Sequence, residues 1–167
     1  MDARIYHHIV VDETKVKEGI KELIPIDALN IKKVREVTKH KDEKTGVDIV
    51  ENLRIKKSIK NYNFIKRIYS SYEIKASKNV KNKTNFFAKR FAAKEAFVKS
   101  LGTGFRNGVN FNDISVINNK SGKPKLHLSN KLKLFLINKF KIKKFKINLS
   151  LADEAKHSIA FVIINKI

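Results

Sequence analysis

The chain has 167 residues, of which 42% are hydrophobic and 32% charged, and Lys plus Arg outnumber Asp plus Glu by 37 to 16 for a formal net charge of +21. That apolar share suits one domain with a real core and excludes a disordered chain. The absence of Cys excludes disulfides, thiolate metal sites and a Cys nucleophile, and fits a reducing cytosol.

A field of this sign favours polyanionic partners, such as nucleic acid, an anionic membrane, phosphorylated ligands or an acidic protein. The wealth of Lys, Asn and Ile is also what an AT-rich genome produces, so the charge alone does not choose among them. No apolar run approaches the roughly 20 residues that span a bilayer. The opening MDARIYHHIVVDETK lacks the apolar core of a signal peptide. A cytoplasmic protein without a membrane segment is the expectation.

Residues 1–45 read as an N-terminal extension. RIYHHIVVD is a candidate short strand. TKVKEGIKELI sets Val16, Ile20 and Leu23 on one helical face, with Asp12 or Thr14 as cap and Pro25 as stop. IDALNIKKVREV suggests a second short helix, and KHKDEKT a polar linker. From Gly46 the pattern changes. GVDIVENLRI begins extended and turns helical, and broken helices follow over 58–78. KNVKNKTN is a basic loop in which Thr84 or Asn85 can cap a helix over 85–101. NDISVIN and KPKLHLS flank the turn signal NKSGKP and predict a hairpin. NKLKLFLINKF is helical, with Leu132, Leu136 and Phe140 on one line. KFKINLSL and SIAFVII are strands around the polar turn DEAKH, the last apolar enough for a central strand buried on both sides. Helices mixed with antiparallel strands make an α+β domain, an antiparallel sheet packed with helices.

The helix over 85–101 poses a question. At about 100° per residue, with Phe91 at zero, Glu95 falls near 40° and Lys99 near 80°. Both lie within the arc of Phe87, Ala88, Ala92 and Val98. A buried unpaired carboxylate costs several kcal/mol. Three explanations stand: an i,i+4 ion pair, a groove where both groups meet solvent, or a ligand site with Glu95 on a divalent cation and Lys99 on an anion. Gly102 is a natural helix terminator, and the second glycine in Gly102-Thr103-Gly104 would let backbone N–H groups approach a phosphate. The glycines follow a helix rather than precede one, so this is not a P-loop. Asp48 sits at a strand-to-helix change, either as a helix N-cap or, with Glu95, as a Mg²⁺ ligand. His7, His8, His40, His127 and His157 show no metal-ligand spacing, and Ser150 lacks a GxSxG context. The basic residues are scattered over every element without an aromatic RNA-binding motif.

RFAAKEAFVKSLGTGFRNG, over 90–108, closely resembles the signature helix of bacterial holo-[acyl-carrier-protein] synthases, which are phosphopantetheinyl transferases. GVDIVENLRI, FIKRIYSSYE, FNDISVINNKSGKPKLHL and INLSLADEAKHSIAFVII resemble the family's other segments in order, so the resemblance covers about 46–167. It implies transfer of the phosphopantetheine arm of coenzyme A to a serine of apo acyl carrier protein in fatty-acid synthesis, leaving adenosine 3′,5′-bisphosphate. By the same resemblance Asp48 and Glu95 bind Mg²⁺, and Lys99 stabilises phosphate charge or assists proton transfer. Arg90, Gly102, Thr103, Gly104 and Pro124 line the coenzyme A site, and Arg54 faces the acidic carrier. The family forms homotrimers with sites between subunits. Glu95, acting through a water, would accept the serine proton. Two features depart from the family. KHKDEKT stands where relatives have an apolar first strand, which it cannot fill, so residues 1–45 either supply a substitute strand, with RIYHHIVVD the candidate, or are a fused or misassigned start. Asn148 stands where many relatives have a substrate-contacting His, and an amide cannot serve as a base there. The alternative from another class is a basic, non-catalytic nucleic-acid-binding domain. It accounts for the charge but leaves Glu95 and the paired glycines without a role.

Overall fold

The computed structural model describes residues 43–106, 108–141 and 144–167. The expected strand RIYHHIVVD, both expected N-terminal helices, His7, His8 and His40 lie outside the described residues.

Strand β1 (Glu43–Glu51) is followed by three one- to two-turn helices, α1 (Asn52–Ser58), α2 (Tyr62–Ile68) and α3 (Ser71–Ser77), and by the long helix α4 (Lys83–Leu101). A 3₁₀ turn at Phe111–Asp113 leads into the hairpin of β2 (Ile114–Asn118) and β3 (Pro124–Leu128). Helix α5 (Asn130–Phe140), β4 (Phe145–Asp153) and β5 (His157–Lys166) complete the domain. The main sheet has the order β1-β5-β4, antiparallel throughout, and β2 pairs with β3 as a separate ribbon. The expected α+β class, hairpin, broken helices and closing strands are all present.

The core forms where α4 crosses one face of the sheet. Phe87, Ala88, Ala92, Ala96, Phe97 and Val98 are buried with Val50, Leu149, Ala160, Val162 and Ile164. Ala88, Ala92 and Ala96 repeat every fourth residue, a line of small side chains along which a sheet can come close. Along β1 the even positions face this helix and Val47 and Ile49 point away.

Four expectations need correction. KHKDEKT is not simply a linker that cannot fill the first strand: Glu43, Lys44 and Thr45 are the opening of β1, paired with Asn165, Ile164 and Ile163. Among the described residues β1 is an edge strand, so its polar start needs only the backbone ladder, and Asn165 Nδ2 adds a bond to Glu43 Oε1 at 2.7 Å. The cap of α4 is Asn82, whose side chain accepts from the Asn85 N–H at 3.0 Å, rather than Thr84 or Asn85. Asp48 caps no helix, because it lies inside β1, and the N-cap of α1 is Glu51. β5 is central as expected but not buried on both faces: Ile159 and Phe161 are 39% and 42% exposed on the side away from α4. Val47 and Ile49, their partners across the ladder, are exposed beside them.

Candidate active site

The site begins with a residue that has no side chain. A Cβ on Gly46 would collide with the Ala96 carbonyl oxygen and stand 2.6 Å from the Ser100 backbone nitrogen. Glycine lets β1 lie directly on α4, and two residues on, facing the same way, is Asp48. Lys99 Nζ donates to Asp48 Oδ1 at 2.7 Å, with Asp48 12% exposed and Lys99 55%. Lys99 is therefore a rim cation over a sheltered carboxylate. It bonds the strand, and the short i,i+4 pair with Glu95 is not formed.

Glu95 is half-buried beside this pair and has no hydrogen-bond partner among the described residues. Its carboxyl is pushed above the usual range by burial first and by Asp48 second, against the pull of Lys99 and Arg54. The Asp48 charge makes the ionised form of Glu95 costlier, and a shared cation would relieve that cost. The described residues contain no cluster of three or more His, Cys, Asp and Glu that could cage a metal. Two carboxylates with water and phosphate oxygens completing the shell is the Mg²⁺ pattern, so Asp48 and Glu95 fit that ion.

Beyond Lys99 the helix ends on Gly102, which takes φ 66° and returns its N–H to the Lys99 carbonyl at 3.0 Å. Gly104 also has positive φ, and nothing would stand within 4 Å of a Cβ on either glycine. The Gly102-Thr103-Gly104 turn therefore presents open backbone one turn from Lys99.

The structure brings Asp48, Glu95, Lys99 and Arg54 together and sets the glycine turn next to them. Arg54, exposed on α1, is close enough to lower the protonation of Glu95. The other expected site residues lie elsewhere on the chain. Arg90 is about 140° around α4 from Glu95. It is buried, its guanidinium 3.4 Å from the Phe86 ring centre and its Nη1 donating to the Phe86 carbonyl. Burial lowers its pKa to about 10, and Nε has no hydrogen-bond partner among the described residues. Pro124 opens β3 opposite Asn118, on the hairpin. Asn148 is exposed on β4, on the sheet face turned away from α4, and donates to Asn165 Oδ1 at 3.4 Å.

Sequence reasoning missed two supports. Lys94, fully buried next to Glu95 in sequence, bonds Glu73 at 2.8 Å and the carbonyls of Ile68 and Phe111 at 2.7 and 3.2 Å. Glu73 also closes a capping box with Ser70 and accepts from the Val116 N–H. The Ser-x-x-Glu spacing at 70–73 was the available signal. Asn52, at the start of α1, donates to the carbonyls of Glu154 and Ala155 and accepts from Ser158 Oγ, fixing α1 to the β4–β5 turn.

Comparison with known proteins finds relatives over the described domain. The family model described as the 4′-phosphopantetheinyl transferase superfamily matches residues 44–162. A holo-[acyl-carrier-protein] synthase of Pelagibacter ubique is 56% identical over 121 residues, covering 72% of this chain and 94% of that protein. The crystal structure of such a synthase from Neisseria meningitidis superposes with a TM-score of 0.67 at 35% identity, covering 74% of this chain and 98% of its own. That from Bacillus anthracis, solved in complex with coenzyme A (3′,5′-ADP), gives 0.62 at 33% identity, covering 74% and 96%.

Proposed function

The chain belongs to the holo-[acyl-carrier-protein] synthases of the 4′-phosphopantetheinyl transferase superfamily, and from that membership we propose that it moves the phosphopantetheine arm of coenzyme A onto a serine of apo acyl carrier protein. The observation that carries the proposal is the joint placement of Asp48, Glu95, Lys99 and the glycine turn. The serine Oγ forms a bond to the β-phosphorus, and the bond from that phosphorus to the bridging oxygen breaks. Adenosine 3′,5′-bisphosphate leaves with the electron pair.

Each residue has a task in this reading. Asp48 and Glu95 hold Mg²⁺, which when bound neutralises pyrophosphate charge. Lys99, tethered by Asp48 yet open to solvent, supplies a further cation to the phosphate oxygens. Glu95, through a water, accepts the serine proton. Gly102, Thr103 and Gly104 offer backbone N–H groups to a phosphate, and Arg54 with its basic neighbours on α1 meets the acidic carrier.

Arg90, Pro124 and Asn148 are proposed to contribute to the same ligand from separate faces. Asp48 and Asn148 point to opposite sides of one sheet, so one chain does not offer both to one molecule. A homotrimer with sites between subunits accommodates them, and the exposed Val47, Ile49, Ile159 and Phe161 give such an assembly an apolar face to bury. No helix among the described residues is long and apolar enough to cross a membrane, in keeping with a proposed cytoplasmic place in fatty-acid synthesis.

The test is the mass of apo acyl carrier protein after incubation with the chain, coenzyme A and Mg²⁺. Gain of one phosphopantetheine arm, abolished by EDTA, is the expected result. An unchanged carrier mass with folded protein overturns the reading.

A further inference from the structure

The glycine turn raises a problem of order. Gly102 and Gly104 both take positive φ in open space, and two glycines carry more backbone freedom than any other pair. The hydrogen bonds of residues 103–106 among the described residues close within the loop: Thr103 Oγ1 to the Gly104 carbonyl, and the Val109 N–H to the Arg106 carbonyl. Among the described residues no backbone ladder holds this segment against the helix that carries Glu95 and Lys99.

A ring stack does. Phe105, the residue after Gly104, lies on Phe111 with ring centres 3.6 Å apart and planes 16° from parallel. Phe111 in turn stacks on Phe91, at 5.6 Å and 24°. Phe91 sits on α4 four residues before Glu95 and eight before Lys99, on the same stripe of the helix. The middle ring is a fixed platform, because the Phe111 carbonyl accepts from buried Lys94 and the neighbouring Asn112 donates to the Lys66 carbonyl at 3.0 Å. All three rings are only half-buried, so the stack sits at the rim of the core.

We propose that the stack of Phe105, Phe111 and Phe91 is a positioning device that holds the Gly102-Thr103-Gly104 backbone in register with Glu95 and Lys99 for coenzyme A. The proposal rests on the function proposed above. The rings act through the loop and do not touch the reacting atoms. They supply from side chains the order that the glycines withhold from the backbone, while the glycines keep the loop free of Cβ atoms on its ligand side.

The test compares the full chain with Phe105→Ala and Phe105→Tyr, by steady-state transfer with coenzyme A and carrier varied in turn, by calorimetric titration with coenzyme A, and by thermal denaturation. Phe105→Ala is expected to raise KM and Kd for coenzyme A by about three- to tenfold, the worth of one aromatic pair. The carrier KM and the Tm should stay unchanged, and Phe105→Tyr should restore the wild-type values. An unchanged coenzyme A KM and Kd in Phe105→Ala overturns the proposal, as does a fall in Tm with no change in those constants. If the wild-type chain binds coenzyme A but transfers nothing, the functional reading fails on its own, and the Kd comparison still decides on the stack.

Discussion

Lys99 and Asp48 stand 51 positions apart in sequence, yet the ammonium meets the carboxylate at 2.7 Å where β1 lies on α4. The pair places a cation directly over an acid proposed to hold a metal, and it depends on the missing side chain at Gly46.

Gly46→Ala should therefore do two things at once. The added methyl meets backbone, which cannot swing aside, so the strand must lift from the helix at about 1–3 kcal/mol, the usual cost of overpacking. Lifting the strand carries Asp48 away from Lys99 and Glu95. Denaturant unfolding should show the loss of stability, and transfer by the remaining folded protein should fall. A Gly46→Ala variant with wild-type stability would show that the strand has room to move.

Asp48→Ala and Glu95→Ala should each lower Mg²⁺-dependent transfer by about 100-fold or more, roughly 3 kcal/mol of transition-state stabilisation, with circular dichroism unchanged. Wild-type-like turnover in either variant contradicts the metal assignment.

Glu95 also predicts a pH effect on stability in the metal-free protein. Its folded pKa is raised, so between the ordinary carboxylate pKa and the folded one the native state binds more protons than the unfolded state. Stability then falls as pH rises through that window. Glu95→Gln removes the penalty. In EDTA its Tm should exceed wild type at neutral pH, and the gap should close below the ordinary carboxylate range. Parallel Tm profiles for the two proteins would contradict the prediction.

The buried Glu73–Lys94 pair should behave in the opposite sense. Lys94→Met leaves Glu73 uncompensated in the core and should cost about 3–5 kcal/mol, measured by denaturant unfolding. Lys89→Met removes the partly exposed bond to Asp153 at 2.7 Å and should cost well under about 1 kcal/mol.

How much of this was legible in the sequence depends on what each element needed. The hairpin announced itself through a Gly-containing turn between two β-rich runs, and α4 through its family signature. The start of β1 did not, because an edge strand can be recruited by its backbone, and the polar Glu-Lys-Thr gave no apolar alternation to read. The exposed flank of β5 was misread for the converse reason: apolar residues on both faces imply burial twice over, and the described residues supply only one cover. Asp48, Glu95 and Lys99 were singled out from residue type and resemblance, and the structure places them together. That Lys99 bonds the strand instead of Glu95 follows from how closely Gly46 lets the two elements approach, which helical periodicity alone does not reveal. Arg90 shared the signature string with Glu95; its place about 140° around the helix follows from periodicity, while its burial against the Phe86 ring does not.

The pairing of β1 has a consequence for how the protein comes into being. Its ladder partner is β5, and the bonded Glu43 and Asn165 are 122 positions apart. While the chain is being synthesised, the strand bearing Asp48 emerges early and waits for nearly the whole domain before its neighbour exists. Helix α4 is made in between and can shelter one side of β1 but cannot satisfy its ladder. Closure of the sheet is thus a late, long-range event, of the kind that slows folding and leaves a bare strand edge exposed in the interval. The acid at the centre of the site takes its final seat only when the last strand arrives.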